Sequence, residues 1–221
     1  MSKGRLISFE GLDGAGKTTQ MELLGQWLES QHIPYVRTRE PGGTPLGVEI
    51  RQLLLNRPEL EITPLAEAFL FQADRAQHFA KVVLPALAEG KLVITDRCFD
   101  ASIAYQGYAR GVGVELVARL SVIATQGHVP NLTILLDLDP SQVHTRTDTS
   151  NDQGGLREGQ TRFDKEAEEF HRKVREAFLT LARLYPERIK VLDASRTPQE
   201  IHEDIIALVK PLLEQQARGA T

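Results

Sequence analysis

Gly11-Leu-Asp-Gly-Ala-Gly-Lys-Thr18 decides how this chain is read. It has the form Gly-x-x-x-x-Gly-Lys-Thr, a P-loop. Gly11, Gly14 and Gly16 let the backbone wrap closely round phosphate, because no Cβ stands in the way. With Leu12, Asp13 and Ala15 they form a loop whose N–H groups can turn inward as an anion nest. Lys17 supplies a mobile positive charge for the β- and γ-phosphates of a nucleoside triphosphate, and the Thr18 hydroxyl is a ligand for Mg²⁺. The strand-like Leu6–Glu10 precedes the loop. A helical pattern follows it, with Met21, Leu24 and Leu28 on one face and Leu23 and Trp27 beside them.

Similar short apolar runs recur along the chain: Tyr35–Glu40, Leu92–Asp96, Leu132–Leu138 and Ile189–Leu192. They do not alternate cleanly, as expected of strands buried on both faces of a parallel sheet. Phe163, Ala167, Phe170, Val174, Phe178, Leu181 and Tyr185 recur at steps of three and four, which predicts a long amphipathic helix. Strands alternating with helices predict an α/β fold: a five-stranded parallel sheet flanked by helices. Ligands of such sheets sit beyond the carboxyl ends of the strands. Gly11, Glu40 and Asp96-Arg97 all lie there.

The 221 residues suit one domain, spanning 1–221. The polar stretch His144–Arg162 interrupts the pattern as a lid-like segment, with Gly154, Gly155 and Gly159 and the arginines Arg146, Arg157 and Arg162. The tail after Glu214 reads as frayed. A net charge of −4 gives no global basic field, so no nucleic-acid partner is expected. No run of 18 apolar residues predicts a membrane span, and no secretory signal is expected. The single cysteine, Cys98, fits a reducing compartment, and the cytoplasm is the expected location.

A P-loop alone does not name a reaction. GTPases usually carry Asn-Lys-x-Asp, and no Asn-Lys pair occurs here. Four ordered motifs narrow the choice. Phe9-Glu-Gly-Leu-Asp-Gly-Ala-Gly-Lys-Thr-Thr-Gln20 resembles the P-loop of thymidylate kinases. Arg39-Glu-Pro-Gly-Gly-Thr44, Phe71-x-x-x-Arg75 and Asp96-Arg97 with Ser102-Ile-Ala-Tyr-Gln106 are similar to that family's later motifs. The resemblance implies the nucleoside monophosphate kinase fold and the reaction ATP + dTMP → ADP + dTDP with Mg²⁺, in dTTP biosynthesis. It also implies a homodimer formed through helices away from the crevice.

The resemblance carries roles residue by residue. Arg97 takes the acceptor phosphate, although a salt bridge with Asp96 would also explain it. Asp96 acts near Mg²⁺ through water, or as a helix N-cap. Asp13 accepts a hydrogen bond from the acceptor's 3′-hydroxyl. Taken without the resemblance, Phe71 reads as core and Arg75 as a solvated charge; with it, the ring stacks on thymine and the guanidinium donates to O4. Ser102 contacts the base at N3. Tyr105 crowds out a 2′-hydroxyl, with Gln106 a weaker candidate beside it. Glu40 orders an active-site arginine or a Mg²⁺-bound water.

Two positions depart from the pattern. Many relatives have an arginine where this chain has Gly14, and its absence resembles the bacterial branch, in which lid arginines supply that charge. Arg157, between glycines, is the first candidate and Arg162 the second. Cys98 stands where an aromatic commonly follows Asp-Arg. Two other readings remain open from the residues: a kinase of the same architecture with a different acceptor, and a non-catalytic nucleotide switch.

Overall fold

The computed structural model describes residues 4–142, 166 and 168–218. Five strands form one sheet: β1 (Arg5–Gly11), β2 (Tyr35–Arg39), β3 (Leu92–Asp96), β4 (Leu132–Asp137) and β5 (Ile189–Asp193). They lie in the order β2-β3-β1-β4-β5, all parallel, with Phe9 in register with Asp96 and Ile134. The five-stranded α/β expectation holds, and each strand lies within two residues of its predicted ends. Parallel neighbours require crossovers, and helices supply them. These are α1 (Lys17–Ser30), α2 (Pro45–Asn56), α3 (Pro64–His78), α4 (Leu84–Ala88), α5 (Phe99–Ser102), α6 (Val114–Ala124), α7 (Glu168–Leu184) and α8 (Pro198–Arg218). The π-helical turns Phe79–Val83 and Ile103–Ala109 extend α3 and α5.

The two faces of the sheet differ. Side chains alternate along a strand, so Ile7 and Phe9 point one way and Leu6, Ser8 and Glu10 the other. On the first face Ile7, Phe9, Leu92, Ile94, Ile134 and Leu136 pack against Met21, Leu24 and Leu28 of α1 and Ile201, Ile205 and Val209 of α8. This layer is apolar throughout, and each fully buried Leu or Ile contributes about 1.5–3 kcal/mol. The second face carries buried polar residues at Ser8, Glu10, Thr95 and Thr133. Over it lie the segments that follow β3, together with α7.

Buried polar groups need partners. Arg188, just before β5, grips Asp100 of α5 with both amino groups, at 2.6 and 2.8 Å. It also donates to Thr133 Oγ1 at 2.8 Å, which lies 2.8 Å from Ser8 Oγ. This line bolts α5 to the middle of the sheet. In α7, Phe170, Val174, Phe178 and Leu181 form the buried stripe expected from their spacing, and Ala177 and Ala182 join it. Tyr185, expected on the same stripe, lies past the helix end and is exposed, while Phe163 and Ala167 lie outside the described residues.

A second expectation fails. The backbone of α8 continues past Glu214 to Arg218. Ile201, Ile205 and Val209 dock this helix on the sheet, and that anchorage carries it beyond where the polar composition alone suggested an end. Among the described residues no helix is long and apolar enough to cross a membrane.

Candidate active site

β1 delivers the chain into the P-loop at Gly11, whose φ is 134°. A Cβ there would come within 2.4 Å of the Leu136 carbonyl oxygen of β4, so glycine is required where loop and sheet touch. The loop ends at Gly16, which caps α1 without any side-chain hydrogen bond, and the first turn of α1 has no acidic residue. The helix N-terminus therefore keeps its donors and positive potential for an anion. Lys17 Nζ curls back to the carbonyls of Leu12 at 3.0 Å and Gly11 at 3.4 Å, and lies 3.6 Å from Asp13. Burial and the nearby Arg97 charge lower its pKa.

Thr18 is exposed on the first turn of α1. Asp96 ends β3, and its Oδ1 is buried with no hydrogen-bond partner among the described residues. An unpartnered carboxylate oxygen and an open hydroxyl are hard oxygen ligands, so the pair fits Mg²⁺, which keeps several waters. Cys98, not Asp96, holds the N-cap position of α5. The Cys98 side chain is fully buried with Leu6, Phe79 and Val93. Burial pushes its thiol well up, which suits a packing role.

Arg97 has a left-handed φ of 67°, a conformation that costs energy in a non-glycine residue and is held here by its surroundings. Its N–H donates to Phe9 O at 2.9 Å, and its carbonyl accepts from Thr95 Oγ1 at 3.0 Å. The turn sends the guanidinium across the mouth of the P-loop. There Nη2 donates to Asp13 Oδ1 at 2.7 Å and to the Tyr105 hydroxyl at 3.2 Å. Desolvation works against the Asp13 charge, but Arg97 and Lys17 outweigh it and hold that carboxyl well below the usual range. Asp13 Oδ2 has no partner among the described residues, and the side chain is 41% exposed. Arg97 Nη1 and Glu10 Oε2 face each other at 4.0 Å, both buried and without a hydrogen bond among the described residues. Burial, reinforced by Asp100, pushes Glu10 up to about 8. Its Oε1 accepts from the Cys98 N–H at 2.8 Å.

Beyond Arg97 a second cluster forms between α3, the turn after β2 and the Ser102–Gln106 segment. The Arg75 side chain is 2% exposed. Its Nε donates to Glu40 Oε2 at 2.8 Å, and its Nη1 donates to Gln72 Oε1 at 2.9 Å and Ser102 Oγ at 3.0 Å. Its Nη2 has no hydrogen bond among the described residues. Removing one partner from such a buried pair costs about 3–5 kcal/mol, because a charge is stranded. Burial raises the Glu40 pKa, but Arg75 and His78 outweigh it and keep the carboxyl below its usual range. Asp74 Oδ1 accepts from the Gly42 N–H at 3.0 Å. Burial and the Glu40 charge push Asp74 up to about 6.

Phe71 lies one turn before Arg75 and packs, partly buried, against the neighbouring core. Tyr105 sits against Phe170 and Phe178, with ring centroids 6.1 and 6.2 Å away. Gln106 is buried, and its amide donates to Glu67 Oε1 at 2.8 Å. The structure thus joins Lys17, Asp13, Arg97 and Tyr105 in one set of contacts, with Asp96 next to Arg97 in the chain, and Glu40, Arg75 and Ser102 in a second, buried set. Both follow carboxyl ends of strands or pack beside them, where the crevice of such a sheet is expected. Arg146, Arg157 and Arg162 lie outside the described residues. An apolar groove of about 680 Å³ between α7, β5 and α8 is remote from this crevice.

Five partners escaped the sequence reading: His78, Asp74, Gln72, Glu67 and Glu10. Helical spacing could have found the first, since His78 lies three residues after Arg75 on the same face. Glu10 could have been found as an acidic residue on a central, doubly covered strand, which must have a partner to be buried.

Comparison with known proteins finds relatives over almost the whole chain. Residues 9–205 match the thymidylate kinase family model. A thymidylate kinase of Pelotomaculum thermopropionicum is 46% identical over 98% of this chain and 98% of its own length. One from Symbiobacterium thermophilum is 45% identical over 97% and 96%. The crystal structure of thymidylate kinase from Ehrlichia chaffeensis superposes with a TM-score of 0.72 at 31% identity, covering 94% of this chain and 99% of that one.

Proposed function

The chain belongs to the thymidylate kinase family, and from that premise we propose how its own residues carry the reaction. It phosphorylates dTMP to dTDP with ATP, in dTTP biosynthesis. An acceptor phosphate oxygen attacks the γ-phosphorus, the bond to the β-phosphate oxygen breaks, and ADP leaves. Such a step asks the protein for positioning and charge neutralisation more than for covalent chemistry.

The P-loop N–H groups, Lys17 and the head of α1 hold the donor phosphates. Arg97 receives the acceptor phosphate, and Asp13 Oδ2 accepts from its 3′-hydroxyl. Arg75 Nη2 and Ser102 read the base, Phe71 stacks on it, and Tyr105 closes off the 2′ position of the sugar. Gln106 supports that segment through Glu67. Glu40 aims Arg75 without itself touching dTMP. Thr18, and Asp96 through water, would hold Mg²⁺, which when bound neutralises charge on the β- and γ-phosphates. Arg157, then Arg162, supplies the positive charge that Gly14 cannot.

The observation that carries this reading is the Arg97 guanidinium, bonded at once to Asp13 in the donor loop and Tyr105 on the acceptor side. A coupled ADP-release assay with ATP, Mg²⁺ and each of dTMP, dUMP, dCMP, dGMP and AMP tests it. ADP release is expected chiefly with dTMP. Release at the same rate without acceptor, or a preference for AMP, would overturn it.

The single cysteine supports a cytoplasmic setting. Leu65 and Phe69 of α3 and Leu116 and Ile123 of α6 expose apolar surface away from the crevice, Ile123 at 73%. That supports a homodimer joined through these helices.

A further inference from the structure

A line of hydrogen bonds runs from the edge of the sheet into the acceptor end of the crevice. Thr38 Oγ1 on β2 lies 2.7 Å from His78 Nε2. His78 Nδ1 lies 2.9 Å from Glu40 Oε1. Glu40 Oε2 accepts from Arg75 Nε, and Arg75 Nη1 reaches Ser102. His78 is completely buried, and the Glu40 side chain is 1% exposed. Gly43 makes room for the ring, since a Cβ there would meet His78 Cδ2 at 2.5 Å.

We propose that His78 is a positioning residue for recognition of the acceptor base, fixing the Glu40 carboxylate and thereby the direction in which Arg75 presents Nη2. The inference rests on the reading of Arg75 as the base contact. An arginine side chain has many rotamers, and one ion pair leaves it free to swing. Here Nε and Nη1 are both engaged, so Nη2 keeps one heading only while Glu40 stays in place. A carboxylate bonded through a single oxygen can pivot about its last torsion. His78 holds the second oxygen. The Glu40 carboxylate only accepts, so His78 Nδ1 must donate. Nε2 lies 2.7 Å from the Thr38 hydroxyl, so the ring is held at both nitrogens.

The chemistry of the base makes this directional. At position 4 thymine offers a carbonyl acceptor, and cytosine an amino donor. A guanidinium has only donors, so a well-aimed Nη2 favours the first and opposes the second. A loosened Arg75 can swing away from the cytosine amino group, and discrimination falls.

The test uses the full-length protein with His78→Leu, His78→Asn and Thr38→Val. It measures kcat and KM for dTMP and dCMP, KM for ATP, and thermal unfolding. In His78→Leu the dTMP KM is expected to rise about tenfold, and the dTMP-to-dCMP ratio of kcat/KM to fall at least about tenfold, with ATP KM within about twofold. The Asn amide nitrogen falls where Nδ1 sits, so His78→Asn restores most of the ratio. Thr38→Val leaves the ring in place and lowers the ratio by about twofold to threefold. A folded His78→Leu with an unchanged ratio overturns the proposal, as does His78→Asn behaving like His78→Leu. Should His78→Leu not fold, an unchanged ratio in Thr38→Val overturns it. A wild-type protein that does not prefer dTMP to dCMP instead refutes the acceptor reading beneath it.

Discussion

Arg97 and Asp13 meet at 2.7 Å, which ties the end of the third strand to the donor loop. Under the proposed function, Arg97 neutralises charge on the acceptor phosphate while keeping contact with the donor side. Arg97→Ala is expected to lower kcat/KM for dTMP about 10²–10³-fold. Arg97→Lys keeps a cation but loses the planar fork, and falls between the two. Steady-state kinetics check this, and a near-normal Arg97→Ala would remove the residue from the chemistry.

Tyr105 has two jobs that substitutions separate. Its ring packs on Phe170 and Phe178, and its hydroxyl accepts from Arg97. Tyr105→Phe keeps the packing, so its unfolding temperature stays close to wild type. Tyr105→Ala opens a cavity costing about 3–5 kcal/mol and improves use of ribonucleotide acceptors relative to dTMP. An unchanged deoxyribose preference in Tyr105→Ala would count against the steric reading.

Arg157→Ala is expected to lower kcat by at least about tenfold while leaving dTMP affinity nearly intact. The reason is Gly14, which leaves the donor loop without an arginine of its own. A normal kcat would reject the assignment.

Asp74 links stability to pH. Its carboxyl is raised from 3.8 to about 6 in the folded protein, by burial and by Glu40. Between those values the native state holds a proton that the unfolded chain has released, so stability falls as pH rises through this window. Asp74→Asn keeps an oxygen for the Gly42 N–H and has nothing to ionise. Its stability relative to wild type is expected to grow by up to about 3 kcal/mol from pH ~4 to pH ~7. Urea unfolding across that range measures it, and a constant difference would rule the linkage out.

Ile123→Asp, on the exposed face of α6, is expected to yield monomers by sedimentation with little loss of unfolding temperature. A persistent dimer would place the interface elsewhere.

The sheet was legible because burial on both faces writes Val, Ile and Leu into the strands, and glycine and lysine spacing identified the phosphate loop. The acceptor cluster was less so. Arg75 was found by motif, but the residues that aim it come from three separate elements: Glu40 after β2, His78 on α3 and Ser102 after β3. No periodicity along one element records such a convergence. The π-helical turn carrying Tyr105 and Gln106 was invisible for a related reason. Its extra residue per turn is held by contacts with α6 and α7, and local propensity does not encode it.

The bolt between Arg188 and Asp100 has a consequence for the growing chain. Asp100 is made early, but the guanidinium that holds it is added 88 residues later, just before the edge strand. During synthesis, the helix bearing Ser102 is therefore still unfastened when the first four strands have been made, and its anchor on the sheet arrives only as the fifth strand leaves the ribosome.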